Sequence, residues 1–324
     1  MSSTLRGLFP LLGYAVLIAG TDVYAGHELQ SLNPFAMGAI SFTLAAVFFV
    51  GLDIAKRGAA ATFRPLKTQR RDVIAINVMT AAAWITLLYA LKLLEPAVVN
   101  VVAFAIGPVL TVLIAPLLRR GSKSLRAEVL VAVGVVVALT LLSWGSVSGN
   151  SGMGAIGTGQ AALGLGLGFL CGLACVGAVV YSKRLSDSGM TPLSSLAVRF
   201  FLMVALSWTL VGASPDPRVG EAFWPAVVIA VIGVGLPSFL GQVGIKHVEP
   251  ITASLMDTLS PVFAFLLQLL DGRLTPSPLT LGCILVITAL VAVGVVARSR
   301  HETRTAPEPA TLPAAVPVAG ERAA

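Results

Sequence analysis

Ten long apolar runs divide this sequence almost from end to end: Gly7–Tyr24, Phe35–Leu52, Val73–Leu91, Ala97–Leu118, Ala127–Gly145, Ala161–Ser182, Leu193–Val211, Phe223–Ile245, Ile251–Leu270 and Leu279–Ala297. A hydrocarbon core ~30 Å thick is crossed by about 20 apolar residues in a helix. The chain is 56% hydrophobic and only 11% charged, whereas soluble domains carry roughly 25% charged residues. So few charges cannot cover so much apolar surface in water. The runs also lack the alternating polar pattern of a membrane barrel. The expectation is an all-α integral membrane protein with ten transmembrane helices.

The segments between the runs orient them. With the N-terminus in the cytoplasm, eighteen of the 22 Lys and Arg residues fall on the cytoplasmic side, six of them between Asp53 and Asp72. Only Lys92, Arg218 and Arg273 fall outside, and Arg199 lies within a run. This positive-inside bias places both termini in the cytoplasm, in the cell membrane. It also accounts for the net charge of +7 without a phosphate-tracking face, so nucleic acid is not an expected partner. The first run, interrupted by Asp22 and followed by many others, reads as a retained helix rather than a signal peptide. The tail 298–324, rich in Ala and Pro and without periodicity, reads as disordered.

The sequence repeats itself at a spacing of about 154 residues. Leu91-Lys92-Leu93-Leu94-Glu95-Pro96 matches Ile245-Lys246-His247-Val248-Glu249-Pro250, and Pro108-Val109 matches Pro261-Val262. Asn33-Pro34-Phe35 and Thr191-Pro192-Leu193 open the second run of each half, and Tyr24 and Tyr181 close the first. Each half then holds five helices. Five is odd, so the halves enter the membrane from opposite sides, and an inverted repeat of this kind is a hallmark of secondary transporters.

The stretches Tyr89-Ala90-Leu91-Lys92 through Pro108-Val109, Pro250-Ile251-Thr252-Ala253-Ser254-Leu255 through Phe263-Ala264, and Leu274-Thr275-Pro276 with Leu279 and Gly282 resemble the EamA family of the drug/metabolite transporter superfamily. The resemblance covers residues 8–144 and 162–297 as two repeats. It implies ten helices around a central cavity and, as the commonest role, export of metabolites or amino acids. The chain departs from the family's pattern at Ser41, where an arginine is usual, at Asp271-Gly272 and at Ala19-Gly20-Thr21-Asp22.

Ionisable and amide side chains inside a bilayer are costly, so they mark the expected path of a solute. Asp257, flanked by Ser254, Thr258 and Pro261 on one helix face, is the expected carrier of a coupling proton and a substrate contact. Asp22 stands beside Thr21 and Tyr24. Asn77, Thr80 and Trp84 form one stripe, Asn100, Phe104 and Pro108 another, and Ser238 and Gln242 lie one turn apart. The expected substrate-binding set is Asp22, Asn77, Trp84, Asn100, Gln242 and Asp257. Arg199 reads as a structural anchor near a helix start. Pro108, Pro237 and Pro261 are expected to kink their helices, and Gly168 with Gly172 to allow close helix packing. Cys171, Cys175 and Cys283 read as small apolar filler.

No Walker A sequence is present, which excludes ATP hydrolysis on this chain. No Cys/His cluster has metal-ligand spacing, and no cofactor is implied. The expected partners are a small-molecule substrate and the lipid bilayer, with a monomer and a homodimer both compatible with two halves enclosing a cavity. The function expected is secondary transport by alternating access, and not catalysis. The alternatives are a membrane-embedded lipid-modifying enzyme, for which no HExxH or GxSxG motif is found, and a non-transporting membrane module.

Overall fold

The structure, a computed structural model, describes residues 3–104, 126–150, 156–247, 256 and 259–305. Its regular elements are helices, with no strand among the described residues. Lipid imposes this, because a helix satisfies its backbone donors and acceptors within itself. We label the helices α1 (Ser3–Glu28), α2 (Pro34–Arg57), α3 (Arg70–Leu93), α4 (described over 96–104), α5 (Arg126–Ser148) and α6 (Thr158–Asp187). Then follow α7 in two pieces (Pro192–Ala197 and Phe201–Ala213), α8 in three (Val219–Val228, a π-helical Ile229–Gly235, and Leu236–His247), α9 (Ser260–Gln268) and α10 (Pro278–Thr305). Two short helices, Ala59–Phe63 and Pro65–Thr68, fill the basic connection between α2 and α3.

Among the described residues, six helices are long and apolar enough to cross a membrane: Gly7–Glu28, Pro34–Arg57, Arg70–Leu93, Thr158–Asp187, Pro192–Ala213 and Val219–Gly244. Helices α5 and α10 hold shorter apolar stretches, Val133–Gly145 and Pro278–Gly294, and α4 and α9 adjoin residues outside the description. Several helices outrun the expected runs: α1 continues to Glu28, α2 to Arg57 and α10 to Thr305.

Sequence chemistry sets the helix starts. The Asn33 side-chain oxygen accepts from the Phe35 and Ala36 amides at 2.8 and 3.4 Å, and the Thr191 hydroxyl accepts from the Ser194 amide at 3.2 Å. In both cases proline follows at the first helical position, where its missing N–H costs nothing. Glu95 and Pro96 open α4 in the same way, with the Glu95 carbonyl accepting from the Val99 amide at 3.0 Å.

Two expected continuous spans are interrupted. Helix α7 breaks between Ala197 and Phe201, so Arg199, expected near the start of a continuous helix, lies at a break between two pieces. Helix α8 widens into the π-helical segment just before Pro237. A proline ring crowds the carbonyl four residues back, and a wider turn relieves that clash. Gly235 suits the wide turn, since a Cβ there would lie 2.9 Å from the Ala230 carbonyl oxygen. Pro261 falls in the first turn of α9, where it ends no hydrogen-bond ladder. Pro108 lies outside the described residues.

The helices pack in a definite set of pairs. Helix α3 lies along α6, α1 along α8, α5 along α10 and α2 along α7, while α1 also meets α9 and the α3–α4 region meets α6 through Gly164 and Gly168. Glycines permit the closest approaches. A Cβ at Gly244 of α8 would meet Leu11 of α1 at 2.5 Å, and one at Gly177 of α6 would meet Met79 of α3 at 2.5 Å. One large core cluster runs through α2, α3, α4 and α7, centred on Phe42, Phe49, Leu91 and Phe200. Apolar side chains such as Leu130, Val137, Trp144, Val286 and Val293 face outward on α5 and α10. Hydrocarbon is a natural solvent for that surface; water is not.

Candidate functional site

The interior polar groups collect where α3 faces the break in α7. Asn77 bridges the break: its amide donates to the Val198 carbonyl at 2.7 Å and to Val73 at 2.8 Å, and its oxygen accepts from the Leu202 amide at 3.1 Å. One turn on, Thr80 accepts from Nε of Arg199 at 2.9 Å. A further turn on, Trp84 meets Phe42 edge-on at 5.0 Å, and Phe42 meets Phe200 at 5.5 Å. The stripe Asn77, Thr80 and Trp84 is therefore the strip on which the broken helix docks. Tyr14 of α1 and Cys175 of α6 lie within electrostatic reach of Arg199.

A second interior group lies between α1 and α4. Asp22 is 3% exposed and accepts a hydrogen bond from the Asn100 amide. The Asn100 oxygen, also buried, has no partner among the described residues. Cys175 lies within electrostatic reach of Asp22 as it does of Arg199. Asp22 is thus buried within the protein. Next to it, Thr21 bonds back to the Leu17 carbonyl at 2.7 Å and faces Gly233 in the π-helical turn of α8.

Polar ties close each end of the molecule. At one end, His27 of α1 meets Asp271 at 3.2 Å, and Arg273 donates to both oxygens of Asp271. The Arg273 side chain holds the Asp271 carboxyl at about 2 against the opposing effect of burial, with the Arg273 amide and His27 adding to it. Beside them, Gln268 of α9 donates to the buried Glu95 and accepts from the Ala97 amide at 3.2 Å, and Thr280 of α10 donates to Glu95 at 3.5 Å. A cavity of about 330 Å³ adjoins this tie, lined in part by Gln30, Pro96 and Arg273. At the opposite end, the fully buried Asp53 of α2 pairs with Arg57 at 2.7 Å and accepts from Ser194 of α7 at 3.1 Å, and Asp72 pairs with Arg184 of α6 at 3.1 Å. Near this end Gln242 donates to Ser182 at 3.3 Å. It lines a cavity of about 10 Å³ with Ser186, Thr191 and Ser195. Among the described residues, no three His, Cys, Asp or Glu side chains gather as metal ligands would.

Residues 162–296 match the model of the EamA-like transporter family. The chain carries an EamA-like transporter domain. This is a domain of the drug/metabolite transporter superfamily, a superfamily of multi-pass membrane transporters. A solved crystal structure superposes on 93% of this chain and 99% of its own length, with a TM-score of 0.61 at 20% sequence identity. At that identity the likeness shows a shared fold. No curated protein matches the sequence.

The EamA-like domain supplies Arg199, Cys175 and Gln242, and the first half supplies Asp22, Asn77, Trp84 and Asn100. Asp22 and Asn100 are in direct contact. Asn77 and Trp84 share a neighbourhood with Arg199, while Gln242 lies apart, beside Ser182. Asp257 lies outside the described residues. Sequence reasoning kept Arg199 out of the substrate-binding set as a structural anchor, and it left Glu95 without a role. Arg199 is the lone cation within an apolar run, and its companion signal is Thr80 on the opposing stripe. Glu95 stood out only as part of a repeat, and its burial between α9 and α10 carries no local sequence signal.

Proposed function

We propose that the chain is a secondary transporter in the cell membrane that exports a small metabolite or amino acid by alternating access. In this reading it has ten transmembrane helices as two inverted five-helix repeats, with both termini cytoplasmic, and it works as a monomer or a homodimer. One observation carries the reading. Exchange each helix of the first half for its counterpart five places on, and the packing pairs map onto one another. The pair α1–α8 becomes α6–α3, α1–α9 becomes α6–α4, and α2–α7 and α5–α10 become themselves. Packing that survives this exchange is what a two-fold relation between halves requires, and such halves can swap conformations about a central site.

Asp22 and Asn100 are the proposed polar contacts of the solute, with Trp84 as an aromatic wall and Gln242 towards the cytoplasmic mouth. Asp257 is the proposed carrier of the coupling proton. Asn77 acts through the α7 break it holds, since its donors and acceptor are committed to backbone. The ties at Glu95 and Asp271 form the outer gate, and those at Asp53 and Asp72 the inner one. Each access state needs one set broken.

Purified protein in proteoliposomes, offered amino acids and small amines with and without a pH gradient, tests the proposal. Gradient-stimulated movement of one compound class supports it. Folded protein that moves nothing across a broad panel counts against transport.

A further inference from the structure

The cavity of about 330 Å³ beside the His27–Asp271 tie is built as a ligand pocket is. Such pockets hold about 300–1,000 Å³ between mostly apolar walls, with a few placed polar groups. Here the apolar wall is Leu91, Leu94, Pro96 and Leu274, and the polar groups are Gln30 and Arg273. Gln30 donates to the Gly26 carbonyl at 3.1 Å and to the Lys92 carbonyl at 3.4 Å, so its donors are spent on joining α1 to α3. Arg273 is not spent. A guanidinium carries five N–H donors in a planar fork. Nε and one terminal nitrogen go to the two oxygens of Asp271, and the other terminal nitrogen has no protein partner among the described residues. Asp271 is itself engaged by Arg273 and His27. No Asp or Glu is among the described residues of the lining. The cavity therefore offers an apolar wall and one unspent cationic edge, with no carboxylate to receive an ammonium group.

Its place relative to the interior polar pair is fixed by helix geometry. Gly26 lines the cavity one helical turn along α1 from Asp22, and Pro96 lines it one turn along α4 from Asn100. Both levels are in contact. Asn100 donates to Asp22, and a Cβ at Gly26 would meet the Pro96 ring at 2.8 Å. The cavity thus begins one turn, ~5.4 Å, beyond the Asp22–Asn100 contact.

We propose that this cavity binds a small amphipathic organic acid as its anion, with the acid group on the free edge of Arg273 and the apolar body against Leu91, Leu94 and Leu274. Its place on the exit side of the Asp22–Asn100 pair rests on the transport reading, but the binding does not.

The test uses phenylacetate, its amide, which keeps the shape and loses the charge, and phenethylamine, which reverses the charge. Binding to the folded, detergent-solubilised protein is measured by titration calorimetry, and flux in proteoliposomes is measured beside it. The wild type is expected to bind the acid at least tenfold more tightly than the amide, because hydrogen bonds between ionised groups are the stronger ones, and to bind the amine least. Arg273→Gln is expected to bring the acid-to-amide ratio close to one. Leu274→Trp keeps every charge and fills the cavity, so it is expected to weaken acid and amide alike by at least tenfold. Should Arg273→Gln fail to fold, Leu274→Trp decides. The absence of saturable acid binding, a ratio that survives Arg273→Gln, or undiminished binding by Leu274→Trp overturns the proposal. Acid-selective binding without flux of any compound leaves this site standing and removes the transport reading. Flux of other compounds with no acid binding does the reverse.

Discussion

Replacing Asn77 by leucine tests whether this side chain holds the α7 break or contacts solute. Leucine is close in volume and removes every hydrogen bond of the amide. It strands the Val198 carbonyl and the Leu202 amide, which Asn77 meets at 2.7 and 3.1 Å. Val198 is fully buried and Asn77 only 7% exposed, so water does not substitute. An orphaned buried backbone group costs about 1–3 kcal/mol, which gives about 2–6 kcal/mol for the two. Interhelical hydrogen bonds in membranes average only ~0.6 kcal/mol, because the unfolded chain in lipid also finds partners. That lowers the floor to about 1 kcal/mol. A break cannot close its own ladder, however, so the expected loss is about 2–4 kcal/mol. Unfolding free energy in mixed micelles measures it, with the exposed Asn150→Ala as a reference. A loss under about 0.5 kcal/mol, no larger than the reference, would refute the docking-strip assignment. If flux vanished at the same time, Asn77 would be a solute contact after all.

Three further outcomes follow from the geometry. Asp22→Asn is expected to fold with near-native stability, since the site stays nearly isosteric, and to lose at least tenfold in flux; near-native flux in proteoliposomes would remove Asp22 from the solute path. Asp271 titrates at about 2 in the fold against an ordinary 3.8. A depressed carboxyl stabilises fully above the ordinary value and loses that contribution as pH falls towards 2, so melts between pH 5 and 2 should show about 1–2 kcal/mol more loss in the wild type than in Asp271→Asn. Identical pH profiles would show that the ion pair with Arg273 adds nothing. Gly233→Ala is expected to destabilise by about 1–3 kcal/mol, because its Cβ would lie 2.4 Å from the Thr21 methyl and Thr21 is held by its bond to Leu17; Gly166→Ala, with nothing within 4 Å, should be neutral or slightly stabilising, and equal melting shifts would dismiss the close contact.

Much of the architecture was legible because lipid leaves few options. An apolar run of sufficient length becomes a helix, and Asn33-Pro34 and Thr191-Pro192 announce their caps by chemistry that acts within four residues. The polar stripe of α3 was visible from its spacing, but its target was not. That Asn77 serves a helix break depends on a discontinuity in α7 that no residue between Ala197 and Phe201 announces, for none is Gly or Pro. The break is sustained by Asn77, more than a hundred positions away, which takes up the Val198 carbonyl and the Leu202 amide, while Thr80 holds the Arg199 side chain. Asp22 was legible as a polar residue in an apolar run, but its partner was not. Its burial follows from α1 continuing beyond that run and from Asn100 arriving opposite it, both long-range facts. Glu95 was hidden likewise, because a carboxylate in a short turn reads as solvated until α9 supplies Gln268.

The irregular backbone and the interior charges occupy the same region, and this has a consequence for motion. Irregular backbone at membrane depth persists only where protein or a water-lined cavity surrounds it. The break in α7 carries Arg199, and the π-helical turn of α8 presses Gly233 against Thr21, the neighbour of Asp22. Both discontinuities belong to the second half. Their counterparts α2 and α3 are unbroken over Pro34–Arg57 and Arg70–Leu93. A continuous helix bends little, whereas a break or a π turn can change angle for the cost of a few local hydrogen bonds. Under the proposed mechanism the first half then acts as the firmer wall and α7 and α8 as the joints. Each joint lies next to one of the two interior charges, so a change of angle at either joint would alter the surroundings of that charge.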